Sequence, residues 1–254
     1  MKIFASLLFV VSLVCTSAFA QDEKAEAVLN KAVQRLGGDK YLQVRTSVGR
    51  GFFTQIGENA SGVPSSFVDY IVFPDKERTE FKGSGVRSIQ TNTGETGWIF
   101  DSAARTITDQ TPEQVANFKQ GIRTSLDNLL RGGWRREKNA RLEYIGRRPA
   151  SLGKRNEAVK LIYADGLTVE FEFAATDGTP AKLLYKRKSA EGEEIIEEDR
   201  FAQFIEVNGI TAPFIIDHYR NGKQSSRINY QTLEFNIPIA DSLFAKPENV
   251  KKIK

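Results

Sequence analysis

The sequence contains one histidine, His218, and its imidazole is the side chain that would act as a general acid or base near neutral pH. It stands between Asp217 and Tyr219 in a predicted strand. A general base needs a nucleophile to activate, and Ser225 and Ser226 follow at the neighbouring turn. They lack the strand–turn–helix context of a nucleophile elbow. A structural or surface histidine is therefore the preferred interpretation, and no catalytic residue is predicted.

The acidic side chains also lack the pattern of a metal site. A transition-metal centre needs several donors, which one histidine and scattered carboxylates do not supply. The acidic run from Glu191 to Asp199 offers oxygen atoms for Ca²⁺ without the spacing of a calcium-binding loop. A solvated turn and strand face explains this run better. With no phosphate-binding loop either, the sequence predicts a protein that is not an enzyme and has no metal and no cofactor.

The first twenty residues have the pattern of an export signal. An apolar stretch from Ile3 to Val14 precedes the small-x-small cleavage site Ala18-Phe19-Ala20. Cys15 is the sole cysteine, so cleavage after Ala20 leaves no thiol for disulfides, catalysis or metal binding. We expect the mature chain, residues 21–254, to be exported and to form a single domain stabilised by its apolar core.

The charge distribution does not indicate a nucleic-acid-binding protein. The formal net charge is +4, and the basic segments Arg131–Arg136 and Arg147-Arg148 are balanced by the acidic run from Glu191 to Asp199. Solvated surface is the simpler interpretation of the basic segments. A basic rim that attracts anionic lipid headgroups is the alternative.

The stretch from Tyr70 to Phe100 shows the pattern that most of the chain follows. β-Branched and aromatic residues fill short runs, and Pro74-Asp75, Gly83–Gly85 and Asn92–Gly94 separate them, as in antiparallel strands joined by tight turns. Similar runs recur on both sides of this stretch, so about eleven strands are predicted. Regular alternation of apolar and polar residues, as in Leu167 to Phe173, indicates a sheet with one apolar and one mostly polar face.

Two helices interrupt the strands. Apolar residues at three- and four-residue spacing predict an N-terminal helix from Asp22 to Leu36. Thr111-Pro112-Glu113-Gln114 is a capping box with proline at the first helical position, and it predicts an inserted helix from Thr111 to Arg131. The predicted fold is mainly β (α+β): a strongly curved antiparallel sheet that forms a half-open barrel, with the inserted helix lying across it as a lid.

Several short motifs carry a resemblance to a known superfamily. They are Leu36-Gly37-Gly38 after the first helix, Tyr70-x-x-x-Pro74-x-Lys76-x-Arg78, Gly97-Trp98, and the segment from Phe201 to Phe214 with Val207-Asn208-Gly209-Ile210 at its centre. Together they span most of the mature chain. On these motifs the sequence resembles the LolA/LolB-like periplasmic lipoprotein carriers, also called outer-membrane lipoprotein-sorting proteins. The resemblance implies an eleven-stranded half-barrel in the periplasm whose apolar inner surface, covered by helices, holds acyl chains.

The aromatic and β-branched residues are the candidates for that surface, although ordinary core packing is the simpler interpretation for any one of them. The predicted cavity lining consists of Phe67, Tyr70, Phe73, Trp98, Phe100, Val169, Phe171 and Phe173. The predicted lid residues are Phe118, Ile122 and Leu126.

Two functions remain open at this stage. The first is an exported carrier, expected to be a monomer, that binds a lipid or the acyl chains of a lipoprotein for transit across the periplasm. Such a carrier has lipid or lipoprotein acyl chains as its partners, together with a transport component of the inner or outer membrane. The second is a periplasmic protein-binding or sensor module with a filled core and no lipid ligand, which would use strand edges and basic surface.

Overall fold

The computed structural model describes residues 23–57, 61–189 and 191–253. The predicted export signal, residues 1–20 with cleavage after Ala20, lies outside the described residues. The strands, in chain order, are β1 Thr46–Gln55, β2 Ser65–Val72, β3 Lys76–Gly83, β4 Val86–Thr93, β5 Gly97–Asp101, β6 Thr106–Asp109, β7 Arg141–Pro149, β8 Arg155–Ile162, β9 Thr168–Ala174, β10 Pro180–Lys188, β11 Glu194–Val207, β12 Ile210–Arg220 and β13 Lys223–Phe235.

These thirteen strands form one antiparallel sheet with the order β6-β5-β4-β3-β2-β1-β13-β12-β11-β10-β9-β8-β7. Two runs of hairpins are therefore joined at the centre, where β1 pairs with β13, while β6 and β7 remain at the two edges. The sheet is not closed, which confirms the mainly β, half-open architecture. The sheet has two strands more than the predicted eleven.

Helix α1, residues 23–36, and the short helix α2, Asp39–Leu42, precede the sheet. Gly37 and Gly38 separate them with positive φ angles. A side chain at Gly37 would place its Cβ 2.4 Å from the Gly209 carbonyl oxygen, so the β11–β12 turn approaches the helix end closely and glycine is required. Among the described residues, no helix combines the length and apolar character needed to cross a membrane.

The inserted helix departs from the prediction, because it is two helices. The capping box at Thr111 and Gln114 is present and starts α3, Pro112–Thr124. Ser125 then has extended backbone angles and separates α3 from α4, Leu126–Leu130. Its hydroxyl donates to the Ile122 carbonyl at 2.8 Å and accepts from the Asn128 amide at 3.1 Å, so it ends one helix and begins the next. Apolar periodicity continues through the break, which is why the sequence predicted one helix.

The main core lies where α1 and α4 cover the sheet on the β7–β10 side. Val159, Leu161, Val169 and Phe171 are 0% exposed there, and they form one cluster with apolar residues of α1, including Leu29. We call this helix-covered side of the sheet the inner face. Side chains of successive residues in a strand point to opposite faces. The pairing registers between strands therefore show which residues of every other strand lie on the inner face.

The C-terminal tail, residues 236–253, covers the outer face of the sheet near β3–β5. Trp98 Nε1 donates to the Phe244 carbonyl at 2.9 Å, and Arg78 Nη1 donates to the Leu243 carbonyl at 2.8 Å. Ile253 packs against the buried cluster of Ile89, Trp98 and Phe100. The tail contains two 3₁₀ turns, Asp241–Leu243 and Val250–Lys252. The tail therefore covers part of the outer face of this half of the sheet.

Candidate functional site

An apolar cavity of about 260 Å³ lies on the inner face where the core leaves the sheet uncovered. We call it the inner cavity. Strands β1, β2 and β10–β13 form its floor, and α2 and α4 form its sides. Its apolar lining comes mainly from Leu36, Val44, Ile71, Phe73, Leu126, Leu183, Phe201, Ile210, Ile216, Leu233 and Phe235.

A second cavity of about 570 Å³ opens beside the first, and we call it the mouth cavity. It lies between the β2–β3 turn and α3, with Phe118 and Ile122 on one side and Pro74 on the other. Six residues line both cavities: Val44, Ile71, Phe73, Ser125, Asp127 and Arg131. The two cavities therefore adjoin, and we call them together the groove. The inner cavity, with its apolar lining and few polar groups, has the usual form of a ligand site.

Arg131 stands at the junction of the two cavities. Its Nε donates to Asp127 Oδ1 at 2.7 Å and its Nη1 donates to the Val44 carbonyl at 2.8 Å. The guanidinium lies 4.6 Å from the ring centre of Tyr41 and 4.3 Å from that of Phe73. Burial lowers the pKa of Arg131, but the charge of Asp127 outweighs it and the pKa is raised, so the side chain stays cationic. It therefore fixes α4 against α2 and β1.

His218 and Asp199 lie at another point of the inner-cavity wall, with His218 Nδ1 2.5 Å from Asp199 Oδ1. Burial lowers the pKa of His218, but the hydrogen bond and charge of Asp199 raise it above its usual value overall. Ser225 does not contact the imidazole; its hydroxyl donates to the His218 backbone carbonyl at 3.3 Å. This geometry is that of an ion pair in a cavity wall, without a serine aligned for attack.

Two carboxyl groups lie on the inner face without a basic partner in the described residues: Asp69 is buried and Glu77 is half-buried. The Thr79 hydroxyl donates to Asp69 Oδ1 at 2.8 Å and lies 3.2 Å from Glu77 Oε1. Burial raises the pKa of both groups, and the charge of Glu77 raises that of Asp69 further. The pKa of the nearby Tyr230 hydroxyl is raised by the same causes, burial first. Both carboxyl groups therefore ionise less readily than free ones.

Four of the predicted residues lie along the groove. Phe73 lines both cavities and Leu126 lines the inner cavity. Phe118 and Ile122, on α3, line the mouth cavity and are half-buried. The two parts of the split lid therefore contact different sections of the groove.

The other predicted lining residues lie elsewhere. Val169, Phe171 and Phe173 are at most 1% exposed and pack in the main core beneath α1. Phe67 is 5% exposed and packs edge-on against Tyr230 at 5.4 Å between ring centres. These four residues form the supporting core, because helices and neighbouring rings already fill the space in front of them.

Tyr70, Trp98 and Phe100 are on the outer face, so their assignment to an inner lining is corrected. Tyr70 lines a groove between the sheet and the C-terminal tail, and the tail also covers Trp98 and Phe100. Tyr70 and Phe73 are three positions apart in an extended chain, so their side chains must point to opposite faces. The sequence prediction missed this because both faces of β2 carry apolar residues and both are covered.

The prediction also missed the contribution of the C-terminal strands to the inner cavity. Phe201, Ile216, Leu233 and Phe235 line it from β11, β12 and β13. The alternation of apolar and polar residues along these strands was a usable signal. These residues come to lie opposite Ile71, however, because β13 pairs with β1, and a pairing between strands so far apart in the chain cannot be read from the local sequence. In the part of the chain that the structure describes, no group of three or more metal-binding side chains is close enough to hold a metal ion.

Comparison with known proteins identifies the fold. No family model matches the sequence, and no curated protein matches it. Three solved structures each match over 87% of this chain and 97% of their own, at 12% identity. They are a DUF1329 family protein from Desulfovibrio piger (TM-score 0.61), a LolA superfamily protein from Nitrosomonas europaea (0.59), and an outer membrane lipoprotein-sorting protein domain from Vibrio parahaemolyticus (0.57). The chain has a LolA-like fold, as its motifs indicated.

Proposed function

We propose that this protein is an exported, non-enzymatic carrier that holds a lipid, or the acyl chains of a lipoprotein, in the groove of its half-barrel. The observation that supports this most strongly is that the mouth and inner cavities adjoin and share six lining residues. An acyl chain that follows the groove would contact Phe73 and then the apolar wall formed by Leu126, Ile216 and Leu233. The names of the similar structures agree with this function.

Burial of an acyl chain supplies the driving force for binding. Each methylene removed from water contributes about 0.8 kcal/mol, so a chain of a dozen methylenes gains roughly 10 kcal/mol before ordering costs. No covalent step is required, in keeping with an ion pair rather than a nucleophile at His218. The predicted export signal and the LolA-like fold support a periplasmic location for this transfer, between components of the inner and outer membranes.

In this proposal α3 is the movable part of the lid and α4 is its fixed base. Thr124 is the one buried residue of α3, whereas Leu129 and Leu130 of α4 belong to the main core. The C-terminal end of α3 is held by Arg123, which donates to both oxygens of Glu137 at 2.9 Å and to Asp165 at 2.7 Å. Rotation about Ser125 would lift Phe118 and Ile122 from the mouth cavity and admit a chain.

A cavity-filling variant tests the proposal. Ala212 lines the inner cavity on β12, so Ala212→Phe should fill part of it and weaken binding of an apolar fluorescent probe such as N-phenylnaphthylamine by at least tenfold, roughly 1.4 kcal/mol. Ala202→Phe is the matched control, because Ala202 is exposed on the adjacent strand β11 and its variant should bind like wild type. Equal binding by both variants, with both folded by circular dichroism, would refute a ligand in this cavity.

The alternative, a protein-binding or sensor module, has one supporting observation. Strand β7 is a nine-residue strand at the edge of the sheet, with one side available for an added strand. This alternative predicts a protein partner whose binding is unaffected by Ala212→Phe.

A further inference from the structure

Glu77, which lines the mouth cavity from β3, and its neighbour Asp69 share one hydrogen-bond donor among the described residues. The Thr79 hydroxyl lies 2.8 Å from Asp69 Oδ1 and 3.2 Å from Glu77 Oε1. A hydroxyl has one proton to donate, so it cannot satisfy both carboxyl groups. In the part of the chain that the structure describes, neither group has a basic partner that could supply the missing donor.

A buried amide beside Glu77 also lacks a donor. Asn92 on β4 is directly opposite Glu77 in the strand register, so the two side chains lie next to each other on the same face. Asn92 is 3% exposed, and its Oδ1 accepts no hydrogen bond from any described residue. Buried acceptors of this kind normally have a partner. The inner face therefore presents a carboxyl oxygen and an amide oxygen side by side, both able to accept from a bound group.

An ammonium group of a ligand meets both requirements. It brings positive charge to the carboxylate and has three N–H donors for the surrounding oxygens. A calcium ion would need about six to eight oxygen ligands, and the described residues contain no cluster of three acidic or histidine side chains. A ligand in the groove can reach this position, because Glu77 is opposite Ile71, which lines both cavities.

The other charges of the mouth cavity indicate which kind of amine would fit. Arg45 and Arg136 line the cavity, are exposed, and form no ion pair with another described residue. The unpaired carboxyl groups of the lining are Asp75 and Glu77, so the unpaired charges of the two signs are equal in number. The remaining charged side chains of the lining are paired, as Arg131–Asp127 and Lys76–Asp241. A lining with both signs suits a zwitterionic headgroup better than one with a net charge.

We propose that the mouth cavity binds the headgroup of an ethanolamine phospholipid whose acyl chain occupies the inner cavity; this inference rests on the proposed carrier function. The ammonium group contacts Glu77 and Asn92, and the phosphate contacts Arg45 and Arg136. A glycerol headgroup brings no cation to Glu77, and a choline headgroup brings a cation that has no N–H donor.

Displacement of N-phenylnaphthylamine from the mature full chain by lipids with the same acyl chain tests this inference. Lysophosphatidylethanolamine should bind about tenfold more tightly than its N-acetyl derivative, which keeps the chain and the phosphate but has no ammonium group. Glu77→Gln should abolish this preference, and Asn92→Leu should lower it several-fold. R45Q/R136Q should weaken binding of both lipids alike, because both carry the phosphate.

The matched control is Glu206→Gln, at an exposed position of β11 outside both cavities, and it should keep the full preference. The inference is overturned if wild type binds the two lipids equally, or if the preference survives in both Glu77→Gln and Asn92→Leu. Lipids that displace the probe without preference contradict the headgroup site alone and leave the carrier function standing. Failure of wild type to bind the probe and both lipids contradicts the carrier function itself.

Discussion

At the scale of single residues, the groove contains few charges that are free to act. Arg131 and His218 each have a carboxylate partner, Asp127 and Asp199 respectively. Asp69 is different, because it is buried beside another acid, Glu77, and its pKa is raised well above the usual value. Such a group makes stability depend on pH in the direction opposite to a salt-bridged carboxylate.

Replacement of this carboxyl group should stabilise the protein at neutral pH. The folded state of Asp69 binds its proton more tightly than the unfolded state, so the free energy of unfolding falls as pH rises from the unfolded pKa toward the folded one. Asp69→Asn keeps an oxygen that accepts the hydrogen bond from Thr79, and it removes the ionisable group, so the free energy of unfolding no longer falls with rising pH on its account. Urea unfolding should show a gain in stability for the variant at pH 8 and little gain near pH 4.

Asp165→Asn is the control with the opposite sign. The hydrogen bond from Arg123 lowers the pKa of Asp165, so its contribution to stability is present above its unfolded pKa and is lost as pH falls through the lower folded pKa. Its amide variant should be destabilised at pH 8 and should approach wild type in strong acid. A stability of Asp69→Asn that falls below wild type at pH 8 would show that the acid is charged and paired in the native protein.

At the scale of elements, the break between α3 and α4 is the feature on which lid movement depends. Ser125 satisfies a carbonyl of α3 and an amide of α4 with one hydroxyl. Ser125→Ala removes both bonds and should cost roughly 1 kcal/mol in stability. Hydrogen exchange should then accelerate across α3 and at the first turn of α4, because the hinge loses the bonds that fix it.

Thr111→Ala is the matched control at the opposite end of α3, where the hydroxyl accepts from the Gln114 amide. It removes a cap of the same kind, so its cost should be similar, but faster exchange should be confined to the first turn of α3. If Ser125→Ala also accelerates hydrogen exchange in one helical turn alone, the two helices do not move about this residue.

The elements themselves were largely predictable from the sequence, in contrast to the faces they present. The alternation in β9 and the capping box at Thr111 are local signals, and both the strand and the start of α3 form where they were predicted. The break at Ser125 was missed because apolar spacing is continuous there, and one serine can serve as both caps. Residue 70 was assigned to the wrong face because the tail that covers the outer face lies more than 160 positions away in the chain.

At the scale of the whole molecule, pairing between distant strands creates the groove. The first strand pairs with the last, so β2 and β11–β13 contribute to one inner wall although they are separated by most of the chain. Local pattern predicts a sheet and its curvature, but not which strands meet at its centre. For this reason the sequence predicted Phe73 and Leu126, which line the inner cavity, whereas the structure adds Phe201, Ile216 and Leu233 to that lining.

The central claim, that the groove holds a lipid, is tested most directly by native mass spectrometry of the mature protein purified from its own cell envelope without detergent. The account predicts a discrete added mass that is recovered in the organic phase on lipid extraction and is reduced in Ala212→Phe but not in Ala202→Phe. A mass equal to that of the bare chain, unchanged after incubation with envelope lipids, would contradict the carrier function.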